Sequence, residues 1–210
     1  MSKGCVAPDG RALVGSVVRL DVVRPDDGPA LLAALDDGRV WAAGYGGGPA
    51  GRPRDAAAMQ RIVDDSVAEA TAGTRQMYVV RLVESHLGAA GTVVGTASLG
   101  DTELVDERVH LGWTAYGPRW WATAVNPECK LLVLGHAFDD CGFGRVKLQT
   151  DLLNTRSQGA IERLGATREG VLRRHKRRAD GTFRDSVVFS VLASEWPRVR
   201  EGLRARLDRC

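Results

Sequence analysis

Residues 108–138 read RVHLGWTAYGPRWWATAVNPECKLLVLGHAF and contain a strand, a loop and a helix in that order. The β-branched and aromatic residues of the first nine positions favour a strand. The helix is expected over 127–140, because Asn126 is a good N-cap and a proline suits the first helical position. A second strand, VKLQT, follows at 146–150. Since a helix connects the two strands, we expect them to pair in parallel.

The segments on either side complete an α+β fold. Short connections between three of the strands favour an antiparallel meander. A Gly/Pro-rich stretch, AGYGGGPAGRPR at 43–54, predicts a long loop of a kind that is often mobile or functional. We expect one domain with a mixed sheet over residues 16–210, after a flexible N-terminal segment, 1–15. The other predicted strands are 16–23, 77–83, 92–99, 166–174 and 182–192, and the other predicted helices are 25–35, 55–72, 154–164 and a last one capped by Ser194.

Composition restricts the class of protein. The 210 residues are 44% hydrophobic, which is enough for a core, and the net charge of +3 does not by itself indicate nucleic acid. No apolar run approaches the roughly 20 residues of a membrane helix, and the N-terminus lacks the hydrophobic core of a signal peptide. The cysteines form no CxxC or zinc spacing, so no metal is expected. The prediction is a cytoplasmic protein with free thiols at Cys5, Cys129, Cys141 and Cys210.

Small residues precede the helix at 122–124, where the sequence is Ala-Thr-Ala. The first N–H groups of a helix are unpaired and attract anions, and small side chains let a bulky anion approach them. Arg119 adds a positive charge nearby. A phosphate or pyrophosphate site is the functional interpretation, and a turn with small residues for packing is the structural alternative.

Two motifs resemble those of one enzyme family. RWWATA at 119–124 is similar to the Q/R-x-x-G-x-G/A loop of the GNAT superfamily of N-acetyltransferases, and NTRS with AIERLGA at 154–166 is similar to its N-x-x-S/A…E-x-x-G segment. From about Val17 onward the chain looks most like the RimJ/RimL type. The resemblance implies a mostly antiparallel sheet with splayed central strands, flanked by helices. It also implies transfer of an acyl group, most simply acetyl, from acetyl-CoA or another acyl-CoA to a primary amine.

The resemblance also assigns roles to residues. Asn154 would bond the pantetheine amides and Ser157 would protonate the leaving thiolate, although both residue types also cap helices. Two positions depart from the family pattern: Ala122 replaces its first glycine, and Ile161 stands where many members have a tyrosine. The cofactor's pyrophosphate is expected on the backbone amides of Trp121, Ala122, Thr123, Ala124, Val125 and Asn126, with Arg119 beside them.

Direct attack by an amine requires that the amine be neutral, so a general base is sought on the strand that begins at Arg108. His110 is the first candidate, because the pKa of histidine suits proton transfer near neutral pH. Glu107 and Asp101 are alternatives, and a chain of water molecules is a further one. Each of these side chains can equally be a strand or turn residue without a catalytic role.

The last open question concerns partners. The basic stretch REGVLRRHKRRADGTFR at 168–184 fits an acidic acceptor, an RNA surface, contacts to the cofactor phosphate, or a solvated hairpin. The acceptor is expected to be a protein N-terminus or a small-molecule amine, and a homodimer is possible. Neither a membrane nor nucleic acid is the expected partner. The alternative function is a catalytically silent protein that binds acyl-CoA, or nucleic acid through the basic hairpin.

Overall fold

The computed structural model describes residues 4–42, 44–83 and 86–209. Within them, the strands are β1 (Leu13–Val14), β2 (Val18–Val22), β3 (Arg75–Leu82), β4 (Val93–Glu103), β5 (Arg108–Tyr116), β6 (Arg145–Asp151), β7 (Thr167–Arg177) and β8 (Phe183–Leu192). The helices are α1 (Gly28–Leu35), α2 (Gly38–Ala42), α3 (Ala56–Thr71), α4 (Val125–Gly135), α5 (Thr155–Leu164) and α6 (Trp196–Leu207). None of these helices is both long and apolar enough to cross a membrane.

The strands form one mixed sheet in the order β1-β2-β3-β4-β5-β6-β8-β7. Neighbours pair antiparallel except β5 and β6, which are parallel. The α+β class, the meander and the parallel pair are therefore confirmed. The sequence did not predict strand β1 or the short helix α2. Strand β1 lies within the segment 1–15, which was expected to be flexible, and pairs with β2.

Helices cover both faces of the sheet, and strand β3 shows why. Its buried Tyr78 and Val80 belong to one apolar cluster with α4 and α6, whereas Met77 and Val79 belong to a second cluster with α1 and α3. Successive side chains of a strand point to opposite faces, so a strand with four consecutive buried apolar residues, as at 77–80, requires a layer on each side.

Two predicted helix caps are wrong. The chain is already helical at Ala124, whose φ is −63°, so Ala124 is the N-cap of α4 and Asn126 lies inside its first turn. Glu195, not Ser194, precedes the first residue of α6. Helix α4 also changes character near its end, because residues 136–140 form a π-helical turn. By contrast, the predicted cap and stop of α5 are confirmed: Asn154 accepts a bond from Ser157 N, and Gly165 ends the helix at a φ of 95°.

A buried glutamate fixes helix α4 against the start of β2. The Glu128 carboxylate accepts hydrogen bonds from the backbone N–H groups of Ser16, Val17 and Val18 at 2.9, 2.6 and 2.6 Å. The approach is so close that a Cβ on Gly15 would lie 2.4 Å from the carboxylate. These bonds satisfy the buried charge and hold the first turns of α4 in position.

Strands β5 and β6 separate soon after they begin to pair. Their parallel register covers only Arg108–His110 opposite Arg145–Lys147. Beyond His110 the two strands diverge, and the second halves of both strands line a cavity of about 560 Å³. The splayed central strands expected from the resemblance are present, and they open the site.

Candidate active site

The cavity between β5 and β6 is the site around which the predicted residues gather. Its volume of about 560 Å³ lies in the range of small-molecule sites. Helices α4 and α5 begin at one end, and the β7–β8 hairpin with the glycine-rich loop forms another wall. The predicted residues that line it are His110, Trp121, Ala122, Thr123, Asn126, Asn154 and Ser157.

The loop before α4 has a left-handed residue at the position where the family pattern has its first glycine. Ala122 lies in the left-handed region with a φ of 60°, although a methyl group disfavours it. Thr123 Oγ1 donates to the carbonyl of Trp120 at 2.8 Å and accepts from Val125 N at 3.3 Å, which holds the turn. The loop is therefore shaped as a turn onto a helix N-terminus in spite of the missing glycine.

Three arginines surround this loop, and the sequence analysis did not single them out. They are Arg163 on α5, Arg206 on α6 and Arg209 just beyond the end of α6. Together they line a depression with Ala122, Thr123 and Pro127. Arg163 and Arg206 also line the main cavity. Guanidinium groups bind phosphate oxygens in pairs of hydrogen bonds, so this end of the cavity fits a polyphosphate.

A fourth arginine lies over the indole of Trp121. Arg156 Cζ is 3.6 Å from the ring centroid, and Trp121 Nε1 donates to the carbonyl of Tyr116 at 2.7 Å. Burial lowers the pKa of the Arg156 guanidinium, which nevertheless stays charged at neutral pH. Both residues of the stacked pair line the cavity, so the guanidinium adds a positive charge to its wall.

The first turn of α5 separates the roles of its two predicted residues. Asn154 Oδ1 caps the helix by accepting from Ser157 N at 3.0 Å. Ser157 contributes only its N–H to that cap, no described residue bonds its hydroxyl, and the residue lines the cavity. Ile161, one turn further along, is nine-tenths buried and supplies an apolar wall.

His110 is buried at the point where the two strands part. Its Nδ1 lies 3.3 Å from Asp101 Oδ2 without the angle of a hydrogen bond, and neither ring nitrogen has a hydrogen-bond partner among the described residues. Burial lowers the pKa of His110, so the ring is neutral at neutral pH. Gly112 permits this packing, because a Cβ there would lie 2.6 Å from His110 Nε2.

A β-bulge lies next to this histidine. Thr96 and Ser98 of β4 pair with Ala115 and Gly112 of β5, so β5 has one residue more than its partner over this stretch. Trp113, within the bulge, has a φ of 46° and contacts His110, with ring centroids 4.7 Å apart and ring planes tilted by 47°. A bulge leaves backbone groups without their usual ladder partner, and the residues of this bulge line the cavity.

Lys130 is a further lining residue that sequence reasoning missed. Its Nζ donates to Thr114 Oγ1 at 2.9 Å, and burial lowers the pKa of the amine. Helical spacing was an available signal, because Lys130 follows Asn126 by four positions and so lies on the same face of α4.

The family model of the GNAT acetyltransferase domain matches residues 18–167. The chain belongs to the GNAT acetyltransferase family. It is an N-acetyltransferase, and its cofactor is acetyl-CoA. No curated protein matches it.

Several solved structures are similar to this GNAT chain. One from T. thermophilus, described as an acetyltransferase, is 34% identical, with 94% of this chain and 97% of that chain covered and a TM-score of 0.79. A GCN5-related N-acetyltransferase from Brucella melitensis is 24% identical over 96% and 87% of the two chains, with a TM-score of 0.84. Mycobacterium smegmatis RimJ in complex with CoA-disulfide is 20% identical over 95% and 97%, with a TM-score of 0.73.

Not every predicted residue of this GNAT enzyme lines the cavity. Glu107 is in the turn before β5, at the end of the strand away from the splay, where its carbonyl accepts from Gly144 N and Arg145 N. Arg119 is exposed, with its Cζ 5.7 Å from the ring centroid of Trp120. Ala124 and Val125 are buried in the core, so their side chains do not face the cavity and only their backbone is available to a ligand.

Two segments that are distant in the sequence form another wall of the cavity. The loop at 44–51 folds into two short 3₁₀ turns, and Gly47 O accepts a bond of 3.2 Å from Ala179 N at the tip of the β7–β8 hairpin. Tyr45 of this loop lines the cavity and bonds Thr96 Oγ1 at 3.2 Å. The long loop thus has a place in the site, as its composition suggested.

Proposed function

We propose that this enzyme transfers acetyl from acetyl-CoA directly to a primary amine, without a covalent enzyme intermediate. The observation that carries the proposal is the continuous cavity between β5 and β6, which joins the phosphate end at Ala122 and Arg206 to the buried, neutral His110. One cavity can hold both substrates at once, and bringing two reactants together is a large part of catalysis.

The cofactor fits the residues that are present. Arg163 and Arg206 would hold its phosphates, together with the N–H groups of the loop at Ala122 and Thr123, and the apolar Ile161 would contact its pantetheine arm. Acetyl-CoA supplies the activated acyl group when bound. The residues of the chain orient it and handle protons.

Two side chains are assigned to proton transfer. His110 accepts a proton from the acceptor ammonium at Nδ1 or Nε2, because its lowered pKa keeps the ring unprotonated at neutral pH. With acetyl-CoA bound, Ser157 would donate its hydroxyl proton to the departing sulfur and regain one from the attacking nitrogen, which must lose a proton to become an amide, since Ile161 stands where the family pattern has a tyrosine. Acyl transfer through a cysteine is not proposed, because Cys129 is fully buried with a raised pKa and does not line the cavity.

The test measures thiol release with acetyl-CoA and a panel of small amines and N-terminal peptides. Amine-dependent release, with no acetylated enzyme found by mass spectrometry when the amine is left out, is the expected result. An acetylated enzyme that passes its acetyl group on to the amine would refute direct transfer. Tight CoA binding without thiol release for any amine would refute the assignment of an amine acceptor.

The RimJ/RimL type, with a protein N-terminus as acceptor, is part of the same proposal, and small-molecule amines are the other acceptor class. The likeness to M. smegmatis RimJ supports the fold, and the peptide arm of the panel tests the acceptor. A cytoplasmic location, a homodimer and a flexible segment at 1–15 stay predictions. Sedimentation at micromolar concentration tests the dimer.

A further inference from the structure

Four cationic side chains of the β7–β8 hairpin line the cavity, and their partners differ. Arg178 pairs with Asp151 at 2.7 Å and also donates to the carbonyl of Phe183 at 2.9 Å. Arg177 is exposed, with its Cζ 4.8 Å from the Phe183 ring centroid. The first is neutralised by a carboxylate and the second is hydrated, so neither charge needs a ligand.

The other two cations, Lys176 and Arg184, lie side by side on paired strands. Both are partly buried, and desolvation lowers the pKa of each. Arg184 Nε bonds the neutral Ser186 Oγ at 3.0 Å, and Lys176 Nζ lies 5.8 Å from the ring centroid of Trp113. Within the described part of the chain, neither forms an ion pair with a carboxylate.

The carboxylates nearby have other partners. Asp101 pairs with Lys147 at 2.9 Å, Asp151 pairs with Arg178, and Asp185 Oδ1 accepts from Arg174 N at 2.7 Å. Asp101 raises the pKa of Lys176 and Asp151 raises that of Arg184, but for each group the effect of desolvation is larger. Two adjacent, partly desolvated positive charges without an ion-pair partner are unfavourable, and a ligand that supplies one removes that cost.

These two charges lie on the wall formed by the β7–β8 hairpin and not at the end of the cavity lined by Arg163 and Arg206. Neither Lys176 nor Arg184 lines the depression formed by Arg163, Arg206 and Arg209. Lys176 instead lies near Trp113, whose ring contacts that of His110, the proposed base. An anion held by Lys176 and Arg184 would therefore be carried by the molecule whose amine reaches His110.

We propose that the acceptor of this enzyme carries an anionic group, a carboxylate or a phosphate, that binds between Lys176 and Arg184. The inference rests on the proposed function, because it names the substrate class of the same site. It gives part of the basic stretch at 168–184 a role in selecting an acidic acceptor, one of the roles left open by the sequence.

The experiment compares three acceptors of matched length: β-alanine, 2-aminoethylphosphonate and the neutral β-alaninamide. They are assayed by thiol release with the wild type, Lys176→Gln, Arg184→Gln and the control Arg173→Gln. Arg173 is an exposed cation of the same strand that does not line the cavity, so its variant removes an equal charge outside the site.

We expect the wild type and the control to favour an anionic acceptor over the amide by about 10-fold or more in kcat/KM, as is typical of charge-assisted hydrogen bonds. Each site variant should bring that ratio close to one, leaving the KM for acetyl-CoA and the rate with the amide within about 2-fold. The carboxylate and phosphonate arms identify which anion is preferred.

The inference is overturned if the wild type does not favour either anion, if the site variants keep the preference, or if they raise the KM for acetyl-CoA instead. Failure of the proposed function is a separate result. Should no amine be acetylated, the binding of the three acceptors to the CoA-loaded protein decides the inference. Tighter binding of the two anions that disappears in Arg184→Gln supports it, and equal binding of all three refutes it.

Discussion

Replacing Ala122 with glycine should stabilise the enzyme, which is unusual for a change that removes a methyl group. Ala122 has a φ of 60°, a conformation that costs an L-residue other than glycine roughly 1–2 kcal/mol. Glycine avoids this cost, but its greater freedom in the unfolded chain removes about 0.4–1 kcal/mol of the gain. The expected net increase in unfolding free energy is about 0.5–1 kcal/mol, or roughly 1–4 °C in Tm for a chain of this size.

The matched control makes the same substitution two residues later. Ala124 has a φ of −63°, which alanine adopts without strain, and its methyl group is buried, so Ala124→Gly should lower stability by about 1 kcal/mol through the lost burial and the greater freedom of the unfolded chain. Urea unfolding of both variants, followed by circular dichroism, measures the difference. CoA affinity of Ala122→Gly should be equal to or tighter than that of the wild type, since the change only widens the approach to the loop. Equal destabilisation by the two changes would refute the left-handed conformation of Ala122.

Four further predictions test the site and its support. Ser157→Ala should lower kcat by roughly 100-fold with little change in Tm, whereas Asn154→Ala should cost about 1 kcal/mol of stability through the lost cap. A near-normal kcat in Ser157→Ala would remove the general acid. Glu128→Gln should cost roughly 3 kcal/mol, because an amide cannot accept all the N–H groups that the carboxylate binds, and urea unfolding measures it. Arg206→Gln should raise the Kd for CoA about 10-fold without changing the ratio between acceptors, as read by calorimetry.

The remaining prediction concerns pH. Because burial lowers the pKa of His110, its ring stays deprotonated until the pH falls below the ordinary histidine pKa near 6.5. We therefore expect kcat/KM to fall only on the acid side of about pH 6.5. The same shift affects stability. Below about pH 6.5 the unfolded chain binds a proton that the folded chain resists, so unfolding free energy should decrease as the pH falls toward the folded-state pKa. His110→Asn should remove the fall in kcat/KM and weaken the pH dependence of stability, of which a part remains because burial also lowers the pKa of His175. An unchanged kcat/KM profile would exclude His110 as the base.

Much of the fold follows from local patterns. The strand Arg108–Tyr116 has the predicted bounds, and helix α5 begins and ends at the predicted residues, because its Asn154 cap and its Gly165 stop act on the backbone within a few residues. Local chemistry also located the loop at Ala122, since helix N-termini and small side chains are visible in the sequence. Where the backbone entered a helix slightly earlier than the cap residue implied, as at Ala124, the error was only two residues.

Contacts between distant segments were decided by tertiary structure alone. The splay of β5 from β6 arises from pairing that stops at His110, which no local pattern specifies. Arg163 and Arg206 meet the loop at Ala122 only because α5 and α6 pack beside it. In the same way, the sequence displays Lys176 and Arg184 as two of many basic residues. Folding pairs Arg178 with a carboxylate and leaves Lys176 and Arg184 side by side, partly buried and without an ion-pair partner in the described chain. Desolvation and pairing depend on what surrounds a side chain in space and not on its neighbours in the sequence.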